Sequence, residues 1–143
     1  MTFGFSSGLG RNSLLLSGWS APEPWGTWSD GPIATLDVPR VWPEQGSLLL
    51  VFEVSVFLAP RQGLDAQTVL VSANGRFIGT LRLIGSETRM KVIIPSALVN
   101  GDAGKLVLRF DFPTAASPSD LGLSPDGRRL AVGLKSLTVQ PAP

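Results

Sequence analysis

The clearest pattern in the chain is a short run in which apolar residues alternate with polar ones. Across residues 47–58 every even-numbered residue is apolar, and Glu53 stands among the odd-numbered ones. Side chains of a β-strand point alternately to its two faces, so this run predicts a strand with one buried face. Leu49, Val51 and Phe57 are apolar as well, which indicates a central strand or one covered on both sides.

Several other short runs predict further strands. Asn74-Gly75 separates two of them, and because both residues tolerate positive φ this pair predicts a β-hairpin with a type I′ turn. A shift in the apolar phase at Lys135-Ser136 predicts a β-bulge in the last strand. The remaining predicted elements are strands over residues 12–17, 33–38, 89–94, 105–112 and 129–139, a single helical turn within residues 95–100, and a turn at Asn100-Gly101.

The spacing of breakers limits the fold class. The chain of 143 residues contains 16 Gly and 12 Pro, spread so that no long amphipathic helix fits between them. About eight short strands in one chain of this length predict an all-β domain over residues 1–143, an antiparallel two-sheet jelly-roll β-sandwich. The edge strands of an open sandwich also allow pairing between copies into a homo-oligomer.

Composition excludes several function classes. The chain has no Cys and no His, so disulfides, thiolate or His-ligated metal sites and a Ser-His-Asp triad are absent. The carboxylates are separated and form no D-x-D-x-D run, so we expect no cofactor and no catalytic metal, and calcium is left open only as a structural ion. The net charge is +1 with Arg128-Arg129 as the one adjacent basic pair, which argues against nucleic-acid binding.

The N-terminus and the apolar runs bear on localisation. Residues 1–5 carry no basic segment followed by an apolar one, so no signal peptide is expected. The apolar run from Leu48 to Phe52 stops at Glu53, too short to cross a bilayer. We therefore expect no membrane insertion, and a cytoplasmic location is favoured.

Residues 18–31 differ from the rest of the chain. This Gly- and Pro-rich stretch holds three of the four Trp residues and reads as a loop between strands. Each indole has a large apolar face and an N–H that needs a partner. Either the rings plug one end of the sandwich, or they form a platform for the C–H patches of a sugar, with carboxylate and guanidinium groups binding its hydroxyls.

The sequence of this stretch also resembles a family. The run GWSAPEPWGTWSDGPIATL is similar to a motif, approximately G-W-S-x-P-E-x-W-G-x-W-S-x-G, of β-sandwich domains attached to bacterial glycosyltransferases and polysaccharide-biosynthesis proteins. Residues 117–134 resemble the closing stretch of those domains, S-P-x-x-L-G-x-S-x-D-x-R-x-L-x-x-x-L. The resemblance implies a jelly-roll sandwich and a role around polysaccharides, although no glycosyltransferase domain is present in this chain.

These observations lead to one favoured function and two alternatives. The favoured one is a non-catalytic carbohydrate-binding module of bacterial surface-polysaccharide biosynthesis or recognition, with a glycan as partner and a larger synthesis assembly as its context. The first alternative is an assembly protein whose Trp-rich loop is core, with Trp42 as a surface anchor. The second is a glycoside hydrolase using Glu23 with Asp30 or Asp126, and such an enzyme requires carboxylates about 5–9.5 Å apart. An ion pair of Arg128 with Glu23 or Asp30 is the alternative to ligand contact by that arginine. The predicted ligand-binding residues are Trp19, Glu23, Trp25, Trp28, Asp30, Asp126 and Arg128.

Overall fold

Two antiparallel sheets pack face to face. The computed structural model describes residues 1–9, 13–39, 46–99 and 105–143, and in these ranges it contains two five-stranded sheets. The first sheet contains β1 (Thr2–Gly4), β3 (Thr27–Trp28), β5 (Leu48–Val56), β8 (Arg89–Ile94) and β10 (Val132–Pro141). The second contains β2 (Leu15–Ser17), β4 (Ile33–Asp37), β6 (Gln67–Ala73), β7 (Arg76–Leu83) and β9 (Val107–Asp111). The predicted all-β jelly-roll sandwich is confirmed.

The order of strands within each sheet sets the edges. In the first sheet β10 and β5 are central, β8 is one edge, and β1 and β3 pair one after the other along the free side of β10. The second sheet has the order β2-β4-β9-β6-β7. A helical turn, α1 (Ser96–Val99), follows β8, as predicted, and 3-10 turns cover Ser7–Leu9 and Pro60–Gln62. None of the helices in the described ranges is long and apolar enough to cross a bilayer.

The core lies between the sheets and follows the predicted alternation. The even-numbered residues from Leu48 to Val54 are buried, and those of β8 from Met90 to Ile94 are buried in the same way. Phe52 of the first sheet meets Phe110 of the second edge to face, with ring centroids 5.6 Å apart. Burying a side chain of this size stabilises the fold by about 1.5–3 kcal/mol, so the buried residues of the alternating runs are a main source of the attraction between the two layers.

The predicted turn and bulge are also confirmed. Asn74 and Gly75 have φ values of 48° and 80°, and Ala73 pairs with Arg76 across the two-residue turn. Asn74 is held further, because its side chain accepts a hydrogen bond from the N–H of Val107 and donates one to the carbonyl of Lys105. The register of β10 against β5 shifts between Leu134 and Ser136.

The structure adds two short strands to the predicted set. β1 and β3 have few residues and were not expected, because strands this short show no alternation in sequence and exist through pairing with β10. The predicted strand over residues 12–17 appears as β2, and Asn12 lies outside the described residues. The turn at Asn100-Gly101 and the residue Trp42 also lie outside them.

Candidate functional site

The stretch predicted as a loop folds as a small hairpin, which we call the Trp hairpin (residues 18–31). Its two arms are joined by hydrogen bonds from the N–H of Ser20 to the carbonyl of Trp28, at 2.9 Å, and from the N–H of Asp30 to the carbonyl of Gly18, at 2.8 Å. At its tip Glu23 and Gly26 exchange both backbone hydrogen bonds. Pro24 and Trp25 are therefore the two central residues of a tight turn, for which the fixed φ of proline is suited.

One arm of the Trp hairpin is attached to the start of β10. Ser29 is fully buried, and its Oγ accepts hydrogen bonds from the N–H groups of Ala131, at 3.2 Å, and Val132, at 3.1 Å. Asp30 Oδ1 accepts a hydrogen bond from the N–H of Arg129 at 3.0 Å. The structure thus places Asp30, a predicted ligand-binding residue, in a contact that fixes the base of the hairpin.

Arg128 joins the Trp hairpin to the loop that precedes β10. Its Nε and Nη2 donate to the carboxylate of Asp126, with the Nη2–Oδ2 distance 2.8 Å. Its Nη1 donates to Ser20 Oγ at 2.9 Å and to Glu23 Oε2 at 3.2 Å. Of the two predicted ion-pair partners of Arg128, Glu23 is therefore the one present, and such charge-assisted, forked contacts are the strong class of hydrogen bond. We call Ser20, Glu23, Asp126 and Arg128 the Arg128 cluster.

Charge stabilisation in the Arg128 cluster is mutual. The hydrogen bond from the Arg128 side chain, joined by one from its backbone N–H, lowers the pKa of Asp126 below its ordinary value. Hydrogen bonding to Asp126 and to Glu23 raises the pKa of Arg128, although burial opposes this. Both side chains are about 30% exposed, so water screens the attraction and the cluster acts mainly by orienting its groups.

The lowered pKa of Asp126 predicts an acid-sensitive attachment of the Trp hairpin. A carboxylate whose pKa is lower in the folded than in the unfolded chain stabilises the fold above its ordinary pKa of 3.8, and this contribution is lost as pH falls through that value toward the folded pKa. We expect Asp126→Asn to flatten the acid limb of the unfolding free energy, measured by urea titration from about pH 6 to about pH 2.5. Asp65→Asn, exposed and outside any described ion pair, is the control. Equal acid sensitivity in wild type and Asp126→Asn would contradict the assignment.

Trp25 and Trp28 form a pair on the outer face of the first sheet. Their rings meet edge to face with centroids 5.2 Å apart, and both side chains are partly exposed. They lie over Gly133 of β10, which pairs directly with Trp28. Val132 and Leu134 are buried in the core, so Gly133 between them faces outward and the two indoles cover that side.

The side chain of Trp19 lies on the opposite side of the Trp hairpin from that of Trp28. Trp19 is paired with Ser29 across the hairpin, so its side chain points away from the side shared by Ser20 and Trp28. Its Nε1 donates to the carbonyl of Thr35 on β4 at 2.8 Å, and the ring packs against the core. It also lines a pocket of about 400 Å³ together with Leu15, Leu16, Ser17, Gly18, Ser20 and Pro22.

The predicted site residues therefore fall into three groups. Glu23, Asp126 and Arg128 form one cluster, and Trp25 with Trp28 form a pair on the same side of the hairpin as Ser20, whose hydroxyl contacts Arg128. Trp19 borders the 400 Å³ pocket, which meets the Arg128 cluster only at Ser20, and Asp30 fixes the hairpin base. Ser20 and Gly133 were not predicted as part of the site. The serine is one of the fixed letters of the quoted motif, whereas the role of the glycine is visible only from its position under the two indoles.

The described ranges contain no group of three or more carboxylates placed to hold a metal ion. No protein-family model matches this sequence, and comparison with curated protein sequences finds no similar one.

Solved structures with the same fold are found at low sequence identity. A family 35 carbohydrate-binding module from an environmental isolate is 11% identical, with a TM-score of 0.52 over 99% of this chain and 97% of its own. An acetyl xylan esterase from the rumen bacterium Butyrivibrio proteoclasticus is 12% identical, with a TM-score of 0.54 over the whole of this chain and 34% of its own. A family GH115 4-O-methyl-α-glucuronidase is 10% identical, with a TM-score of 0.53, and this chain covers 18% of it. The chain thus has the fold of a carbohydrate-binding-module sandwich, and it spans only about a third or less of the two enzymes.

Proposed function

We propose that this domain is a non-catalytic carbohydrate-binding module that acts in bacterial surface-polysaccharide biosynthesis or recognition. The observation that carries the proposal is the Trp25–Trp28 pair, held on an open sheet face on the same side of the Trp hairpin as the Arg128 cluster. The shared fold with a family 35 carbohydrate-binding module supports it. The resemblance of residues 18–31 to domains of polysaccharide-biosynthesis proteins supports the bacterial context.

The chemistry of the two groups suits a sugar. A partly exposed indole offers its electron-rich face to the C–H patch of a pyranose ring. Beside it, Glu23 has Oε2 on Arg128 while Oε1 accepts no hydrogen bond from any described residue, and its side chain is 37% exposed. That oxygen can accept hydrogen bonds from sugar hydroxyls, while Arg128 fixes the carboxylate in place.

The same contacts favour binding over hydrolysis. A glycoside hydrolase needs one carboxylic acid that holds its proton near neutral pH. Glu23 and Asp126 instead share the guanidinium of Arg128, and the pKa of Asp126 is lowered. Asp30, the other carboxylate considered for that role, accepts a backbone hydrogen bond at the hairpin base.

Replacement of the indoles one at a time tests the proposal. In titration calorimetry with the strongest ligand from a glycan array, Trp25→Ala and Trp28→Ala should each weaken binding about 5- to 30-fold, since a stacked ring contributes on the order of 1–2 kcal/mol. Trp19→Ala should mainly lower the melting temperature, because Trp19 packs on the core and donates to Thr35. Trp19→Phe, which keeps a ring but loses the N–H, is the matched control.

Three outcomes distinguish the proposed sugar site from a site at Trp19 and from an assembly function. Loss of binding in Trp25→Ala or Trp28→Ala at a nearly unchanged melting temperature supports the proposed site. Loss of binding in Trp19→Ala alone, at unchanged stability, would move the sugar to the 400 Å³ pocket beside that residue. If all three variants lose stability and wild type binds no glycan on the array, the assembly function replaces the binding function.

A further inference from the structure

The outer face of the first sheet continues from the Trp25–Trp28 pair to the opposite edge of the sheet. In one row of paired residues Ser136 lies beside Glu53, which lies beside Arg89. In the next row Thr138 lies beside Val51, which lies beside Lys91. The side chains of these rows are partly or fully exposed, so the face presents hydroxyl, carboxylate and cationic groups in succession.

The length of this face exceeds what one sugar needs. Four strands lie side by side from β3 through β10 and β5 to β8, and neighbouring strands are about 4.8 Å apart, so the face spans roughly 14 Å across the strands. That distance accommodates several consecutive sugars of a chain. A ligand stacked on the Trp25–Trp28 pair at one edge would reach β8 at the other.

The far edge carries positive charge. A cavity of about 610 Å³ opens between β7 and β8, and its ionisable side chains are Arg82, Arg89 and Lys91 with Glu53 and Glu87. Arg89 is paired with Glu53 at 2.8 Å. Arg82 and Lys91 are in none of the ion pairs among the described residues, and against the single carboxylate of Glu87 they leave the edge with a net positive charge able to bind an anionic group.

We propose that the outer face of the first sheet, from Trp25–Trp28 to Lys91, together with Arg82 on the adjoining edge strand β7 of the second sheet, is a binding track for a polysaccharide chain that carries carboxylate or phosphate groups. The inference rests on the proposed function and adds the ligand class and its direction across the strands. The indoles hold one sugar by stacking. The hydroxyls of Ser136 and Thr138 and the carboxylate of Glu53 bind hydroxyls along the chain, and the two free cations bind its acidic groups.

The test uses the full chain and a glycan array with matched pairs, in which each acidic oligosaccharide is printed beside the same oligomer with its carboxylates reduced or its phosphates removed. Acidic members should bind better than their neutral partners, and the affinity should rise with chain length. With the strongest acidic ligand, Lys91→Glu and Arg82→Glu should each weaken binding about tenfold, and salt should weaken the wild type. Lys105→Glu makes the same charge change at an exposed residue that precedes β9 and does not line the cavity between β7 and β8.

The outcomes distinguish this inference from the proposed function. If neutral glycans bind as well as acidic ones, or if Lys91→Glu and Arg82→Glu bind like Lys105→Glu, the track is overturned while the Trp25–Trp28 site stands. If affinity does not change beyond a single sugar, the track is likewise overturned. If Trp25→Ala and Trp28→Ala leave all binding intact, both proposals fall.

Discussion

Gly18→Ala is expected to lower the free energy of unfolding by about 3 kcal/mol or more. Gly18 has φ of +81°, and a Cβ added there would meet the carbonyl oxygen of Ile33 and lie 2.7 Å from Ala34 Cα. Those atoms are backbone of β4, which is hydrogen-bonded to β2 and β9, so they cannot move without breaking the second sheet. The loss should appear in urea unfolding followed by circular dichroism.

A second glycine separates the two causes of this loss. Gly63 has a nearly equal φ of +86°, but no atom lies within 4 Å of a Cβ added there. Gly63→Ala should therefore cost only the left-handed backbone conformation, about 1–2 kcal/mol. The difference between the variants measures the close approach of the Trp hairpin to β4. Equal losses at the two positions would contradict that approach.

Sequence reasoning succeeded where the physical cause is local. The alternation in residues 47–58 predicted burial on one face of β5. The Asn74-Gly75 pair predicted a turn whose φ values few other residues accept. The shifted phase near Lys135 reports the bulge for the same reason, since an extra residue reverses the side-chain alternation. By contrast, β3 has only Thr27 and Trp28, and its identity depends on β10, about a hundred residues later in the chain.

The contacts of the candidate site also divide into those that the sequence predicts and those that only the fold creates. Complementary charge predicted an ion pair of Arg128 with Glu23 or Asp30, because a guanidinium at a loop base needs an acidic partner, and Glu23 is the one that forms it. The shorter ion pair with Asp126 was not predicted. The separation of Trp19 from Trp28 could not be predicted, because it follows from the register of the Trp hairpin. Arg82 and Lys91 carry no sequence signal either. They line one cavity, and so enter the proposed track, only because the edges of two different sheets lie side by side.

Gly133→Ala is expected to destabilise the domain by about 1–3 kcal/mol, the usual range for overpacking a filled space. A Cβ at this position would overlap the ring of Trp25 and lie 3.1 Å from Cε3 of Trp28. Since β10 is bonded on both sides, the indoles must move instead, so the variant should also lose glycan affinity. Gly79→Ala is the control. Gly79 lies in another strand, β7, and a Cβ added there meets no atom within 4 Å.

A double-mutant cycle assigns the effect to the indole. With Trp25→Ala already in place, the space over Gly133 is open on that side, and Gly133→Ala should then cost much less than it does in the wild type. Residues in direct contact show coupling energies of about 0.5–3 kcal/mol, well above the error of urea unfolding measurements. Additive losses would mean that Gly133 is required for a reason other than the ring, and the outer-face position of the Trp25–Trp28 pair would then be wrong. A large coupling would show that the Trp25 ring packs in the space left by the missing side chain of Gly133.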